Sequence, residues 1–235
     1  MKYQEEVVND ATLYAAVMFK LVEYIETTVA EYYDIDEVAI EERDLDPANI
    51  VGRSLVTVRL YNIPEDLTKE VEIGRTGVIL RIEARGPAYG GISYRTLFTV
   101  FPRVLLRLDR YRLRNLAFRT AKDGIEYIIL YADNGVGLIL EGEYLRVSIP
   151  FIRTAASIHT HPEGSCGLSR HDIQSGLDLL VEGGLMEAAA TPSCAFVMRR
   201  EGAVSEDDYV NVKLMSGPVF KDTRLGSIVF ERIYY

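Results

Sequence analysis

The chain predicts an α+β fold, on three observations. Residues 5–33 place apolar side chains at helical spacing, residues 54–63, 69–84 and 92–101 are rich in β-branched and aromatic residues, and residues 102–124 return to helical spacing before a series of short strands. At 235 residues the chain is long enough to bury a full core, as one large domain or two small ones.

In the first segment Val7, Ala11, Tyr14, Ala15, Met18, Leu21, Val22 and Ile25 recur at helical steps with charges between them. That spacing predicts one amphipathic helix packed on the sheet that follows. SLVTVRLYNI, KEVEIGRTGVILRIEA and ISYRTLFTVF read as strands of an N-terminal region, punctuated by Gly and Pro. Pro102 suits a helix's first turn, Val104, Leu105, Leu108, Tyr111, Leu116 and Ala117 mostly keep the helical step, and Asp123 with Gly124 supplies a stop. Strands are expected at 125–131, 136–140, 144–150 and 154–160, and a helix over 170–182.

Composition sets limits on function. A hydrophobic fraction of 48% and a charged fraction of 26% are those of a soluble globular protein, with disorder expected only at the ends. The opening MKYQEEVVND lacks the basic and then apolar layout of a signal peptide, and Lys20 interrupts the apolar stretch 12–22, so a cytoplasmic location without a membrane partner is expected. The net charge of -9 is uneven: residues 1–50 hold three basic and thirteen acidic side chains, and the rest is nearly balanced. An acidic chain repels phosphate backbones, which argues against nucleic acid as a partner. Arg103, Arg107, Arg110, Arg112, Arg114 and Arg119 crowd the other face of the 102–122 helix. Such a face meets an acidic partner, pairs with the acidic start of the same chain, or is solvated.

All three histidines fall within HTHPEGSCGLSRHD, residues 159–172. On a strand, side chains two apart share a face, so His159 and His161 stand side by side at a spacing that one metal ion can bridge, while Thr160 points away. Pro162 ends the strand, and a loop with Gly164 and Gly167 folds back so that Asp172 enters in the first turn of the next helix. Two imidazoles and a carboxylate leave a fourth tetrahedral position for water, the pattern of catalytic zinc. Ser169 and Asp172 also read as a helix N-cap with an acidic third residue. His171 occupies a position that points elsewhere on a helix, at the surface or behind the ligands.

The combined pattern His159-x-His161-Pro162, Ser169 seven positions on and Asp172 three beyond, resembles the JAMM (MPN-plus) zinc metalloprotease family, in its archaeal or bacterial form. The resemblance spans residues 96–230 and implies an MPN-like domain over 96–235, a mixed sheet flanked by helices, preceded by an α+β region at 1–95 of unknown role. It implies one Zn2+ per chain with a bound catalytic water, held by His159, His161 and Asp172. Ser169 stabilises the oxyanion and an upstream glutamate activates the water. The helix at 102–122 followed by Gly124-Ile125-Glu126 is similar to the family's entry into the glutamate strand, which makes Glu126 the general base. Glu141 and Glu143 flank Gly142 in an expected hairpin turn, too near His159 for the family's strand order. Cys166 in the loop and Cys194 at the start of the next strand lie close in that fold and form a possible disulfide.

The implied activity is hydrolysis of isopeptide or C-terminal amide bonds of ubiquitin-like or sulfur-carrier protein conjugates. Two other readings stand beside it: a noncatalytic MPN-type scaffold in a larger complex, and a zinc-stabilised interaction module.

Overall fold

The computed structural model describes residues 2–87, 90–142, 152–162 and 166–235, and the fold is α+β. The N-terminal part contains β1 (Lys2–Val7), α1 (Asp10–Tyr24, continued by a wide turn Ile25–Val29), β2 (Ala39–Ile40), α2 (Pro47–Ile50), β3 (Leu55–Tyr61), β4 (Lys69–Ile73), β5 (Val78–Ala84) and β6 (Ile92–Ser93). There follow α3 (Tyr94–Leu108), α4 (Arg110–Asp123), β7 (Tyr127–Ala132), β8 (Gly137–Glu141) and β9 (Thr154–Thr160). The chain ends with α5 (Arg170–Val181), β10 (Met186–Ala190), β11 (Cys194–Arg200), α6 (Glu206–Lys213), β12 (Thr223–Leu225) and β13 (Ile228–Tyr234).

The larger sheet has the order β1-β8-β7-β9-β10-β11-β13-β12 and the smaller one β4-β5-β3-β2-β6. In the larger sheet β9 and β10 run parallel and the other neighbours antiparallel. Parallel neighbours need a crossover, and α5 provides it. One face of this sheet packs on α1 and α3 through Tyr14, Phe19, Phe98, Ile129, Ile158 and Val197, in a core that also takes in Val56, Val58 and Leu80 of the smaller sheet. The other face is covered by α5 and α6 over Ile173, Leu177, Phe196, Met198 and Phe230.

Several sequence expectations change here. Residues 2–7 are an edge strand paired with β8, and the helix begins at Asp10 behind an Asn9 capping box. α1 is buried on almost every side rather than amphipathic, because it packs against α3, β7, β9 and β4 at once. Residues 69–84 divide into β4 and β5, with Gly77 in the left-handed region at φ 68° between them. Residues 92–101 are a strand for only two residues. Tyr94, Leu97, Phe98, Phe101 and Leu105 are all buried at helical spacing, so α3 starts at Tyr94 and Pro102 lies inside it. The helix expected as one piece to residue 122 breaks at Asp109, whose buried carboxylate accepts hydrogen bonds from Tyr131 Oη at 2.6 Å and Asn9 Nδ2 at 3.3 Å.

The expected division at residue 95 is crossed by β1, which joins the larger sheet, and by α1, which packs beneath it. The strand expected at 144–150 and the residue Glu143 lie outside the described residues. Among the described residues no arginine of the 102–122 face pairs with the acidic segment 1–50. Arg103 binds Glu231 at 2.8 Å, Arg112 lies 3.8 Å from Asp109, and Arg119 covers the Tyr127 ring. No described helix is long and apolar enough to cross a membrane.

Candidate metal centre

Alternation along β9 builds the site. Ile158 faces the core with α1, and Thr160 turns toward α4, where its hydroxyl meets Thr120 Oγ1 at 2.6 Å and accepts from the Tyr127 amide at 2.8 Å. His159 and His161 therefore share the opposite face, beneath α5. The amide of His161 donates to the Ala190 carbonyl at 2.9 Å, which carries the parallel pairing with β10 past the end of β9.

Asp172 arrives through the N-terminus of α5. Ser169 Oγ accepts from the Asp172 amide at 3.2 Å, and the Asp172 carboxylate accepts from the Ser169 amide at 2.7 Å, a complete capping box. The same carboxylate faces both imidazoles, with Oδ1 3.4 Å from His159 Nε2 and Oδ2 3.3 Å from His161 Nε2. Helix capping and convergence on the histidines are thus one arrangement. The segment leading to it is fixed by the Cys166–Cys194 disulfide, by Arg232 donating to the Cys166 carbonyl at 3.2 Å, and by mutual backbone hydrogen bonds between Leu168 and Val219.

Among the described residues, His159, His161 and Asp172 form a group whose donor atoms lie within 4.8 Å of one another. The two Nε2 atoms are 3.0 Å apart. Ligand atoms on one zinc at about 2.0–2.1 Å in tetrahedral array stand about 3.3 Å from each other. The two imidazole nitrogens, 3.0 Å apart, are close to that value, and each lies 3.3–3.4 Å from a different oxygen of the Asp172 carboxylate. Two imidazole nitrogens and a carboxylate oxygen, converging within 4.8 Å, are a donor set that suits a zinc ion.

One participant is not part of the sequence motif. Glu187, on β10 and 5% exposed, places Oε1 2.8 Å from His159 Nδ1, on the far side of the ring from Asp172. It is one carboxylate in the otherwise apolar run Met186-Ala190, and that isolation is the signal that could have marked it. Burial disfavours a charged His159, yet the carboxylates of Asp172 and Glu187 outweigh it and push the imidazole up to about 10. Burial likewise works against ionised Asp172, but His159 and His161 hold its carboxyl well below the usual carboxylate range. For Glu187 burial prevails, and its carboxyl sits above the ordinary value.

Glu126 is exposed, just ahead of β7, and its carbonyl accepts from the Gly142 amide at 2.8 Å. Ile128 pairs with His159 across β7 and β9, so alternation puts Glu126 on the histidine face, outside the ligand group itself. Gly124, in the left-handed conformation at φ 75°, ends α4 and turns the chain into this position. Glu141 ends β8 opposite Tyr127, and His171 is exposed on α5.

Compared with family models, with curated proteins and with solved structures, the chain matches none.

Proposed function

We propose that this chain is a zinc-dependent hydrolase of the JAMM type that cleaves isopeptide or C-terminal amide bonds in conjugates of ubiquitin-like or sulfur-carrier proteins. The observation that carries the reading is the convergence of His159, His161 and Asp172, whose ligand atoms lie within 4.8 Å of one another. These three side chains would hold the metal. Zinc supplies a Lewis acid and brings the pKa of a bound water from about 15.7 toward about 7. Glu126 takes the proton of the attacking water and returns it to the leaving amine. Ser169 keeps its hydroxyl hydrogen available, because in the cap its oxygen is the acceptor. That hydrogen is donated to the oxyanion, where the bond strengthens as charge develops.

The test is incubation of zinc-loaded protein with a modifier-protein conjugate, with a chelator and Glu126→Gln as controls. Cleavage by the wild type alone is the expected outcome, and equal cleavage by Glu126→Gln removes Glu126 as the base. The exposure of Glu126, outside the ligand group, favours a zinc-stabilised interaction module as the second reading. Stoichiometric zinc with no cleavage of any conjugate would select it.

A further inference from the structure

We infer that Glu187 is the positioning residue of the metal centre, holding the His159 ring so that Nε2 rather than Nδ1 is offered to the metal. The inference rests on the metal-binding reading above, and concerns a side chain that the motif does not contain. Three independent features of the fold converge on it.

The first is direction. Glu187 Oε1 lies 2.8 Å from Nδ1, while Nε2 on the other edge of the ring faces Asp172 Oδ1 at 3.4 Å and His161 Nε2 at 3.0 Å. A hydrogen on Nδ1 directed at a carboxylate leaves the Nε2 lone pair for a metal and fixes the rotation of the ring about its axis.

The second is isolation. Glu187 sits on β10 between Met186 and Ala188, both fully buried, with both neighbouring strands paired to its own. A side chain so enclosed meets the candidate ligands through the His159 ring. A carboxylate is kept in such a place only with partners, and the imidazole and the Ser157 hydroxyl are those partners.

The third is space made for it. A Cβ on Gly176 would stand 2.8 Å from Glu187 Cβ and 3.0 Å from its Cγ. Gly176 lies one helical turn beyond Asp172, on the same face of α5. One helix face therefore serves both edges of one ring, with Asp172 meeting Nε2 and the bare backbone at Gly176 clearing the way for the carboxylate that meets Nδ1.

The experiment compares zinc affinity, by competition with a chromophoric chelator, in wild type, Glu187→Gln and Glu187→Ala, and follows the His159 Nδ1 proton by NMR in the zinc-loaded proteins. Wild type should bind one zinc per chain and show a slowly exchanging Nδ1 proton. Glu187→Gln keeps the acceptor and the shape, so it should retain that proton and lose up to about tenfold in affinity. Glu187→Ala should lose the slow proton and roughly 10–100-fold in affinity. Melting curves of the metal-free variants check the fold, and the isosteric Glu187→Gln keeps the comparison valid should alanine unfold the chain. Equal affinity in all three proteins with an unchanged proton signal overturns the positioning role alone. A wild type that binds no zinc overturns the metal-centre reading and the positioning role with it.

Discussion

Gly176→Ala should reverse the usual sign of its substitution. In a helix interior, alanine in place of glycine ordinarily stabilises by about 1 kcal/mol, because glycine surrenders more backbone freedom on folding. At this position the new methyl meets Glu187 Cβ at 2.8 Å, Glu187 Cγ at 3.0 Å and Met198 Sδ at 3.2 Å. Carbon atoms rest at about 3.5–4.0 Å, so α5 and β10 must part by roughly 0.5–1 Å at this point. Met198 and the Glu187 Cγ can move, but Glu187 Cβ is fixed to a strand paired on both sides. Overpacking of this kind costs about 1–3 kcal/mol, which leaves a net destabilisation of about 0–2 kcal/mol after the propensity gain. Urea denaturation of the metal-free protein reads the change, and chelator competition reads the accompanying loss of zinc affinity as the carboxylate is drawn off His159. A protein stabilised by about 1 kcal/mol with undiminished zinc affinity would refute the reasoning, because it would mean that the helix and the strand separate freely.

Arg200 is 2% exposed, and its guanidinium donates to Glu26 and to the carbonyls of Gly183, Gly184 and Gly202, with Tyr94 also donating to Glu26. Glu26→Ala should strand that charge and cost about 3–5 kcal/mol, read in calorimetry as a fall in Tm of about 6–20 °C. Ser169→Ala removes the cap acceptor of α5 at about 1 kcal/mol, and should keep stoichiometric zinc while turnover falls by roughly 10²-fold. Zinc affinity should rise about tenfold per pH unit from neutrality toward about 10, since His159 in the metal-free protein keeps its proton up to about 10 and binding at Nε2 expels it. The sign is opposite for the stability of the metal-free protein. The contribution of His159 is complete below about pH 6.5 and is lost as pH rises through about 10, whereas that of Asp172 is complete above about pH 4 and is lost on acidification. A pH-independent zinc affinity between pH 7 and 9, measured by calorimetry in buffers of different ionisation enthalpy, would contradict the proton exchange.

The candidate ligands were legible because their geometry is local. Strand alternation alone brings His159 and His161 to one face, and the capping pattern at Ser169 fixes where Asp172 enters. Glu187 was not legible, since its approach to Nδ1 depends on the parallel register in which Ser157 opposes Glu187 and Ala189 opposes His159. The same reason hid β1: KYQEEV is a strand only because β8, more than a hundred residues later, supplies its partner. Conversely, the helical spacing of Tyr94, Leu97, Phe98 and Phe101 was present in a segment read as a strand. Its β-branched and aromatic content outweighed a periodicity that burial against α1 rewards. Pro102 misdirected the boundary further, as a proline tolerated inside a helix whose packing on both sides offsets one missing hydrogen bond.

The single parallel pairing of the larger sheet also governs how the centre comes into being. β9, α5 and β10 follow one another in the chain, and all three candidate ligands, the serine cap and Glu187 lie between residues 159 and 187. Closing so short a stretch costs little chain entropy compared with pairing β1 to β8. The candidate ligands can therefore meet before the outer strands have docked, and a metal captured at that stage would stabilise the parallel pair β9–β10. Glu126 arrives separately, from the turn just ahead of β7, so the candidate ligands and the proposed base come from different parts of the chain.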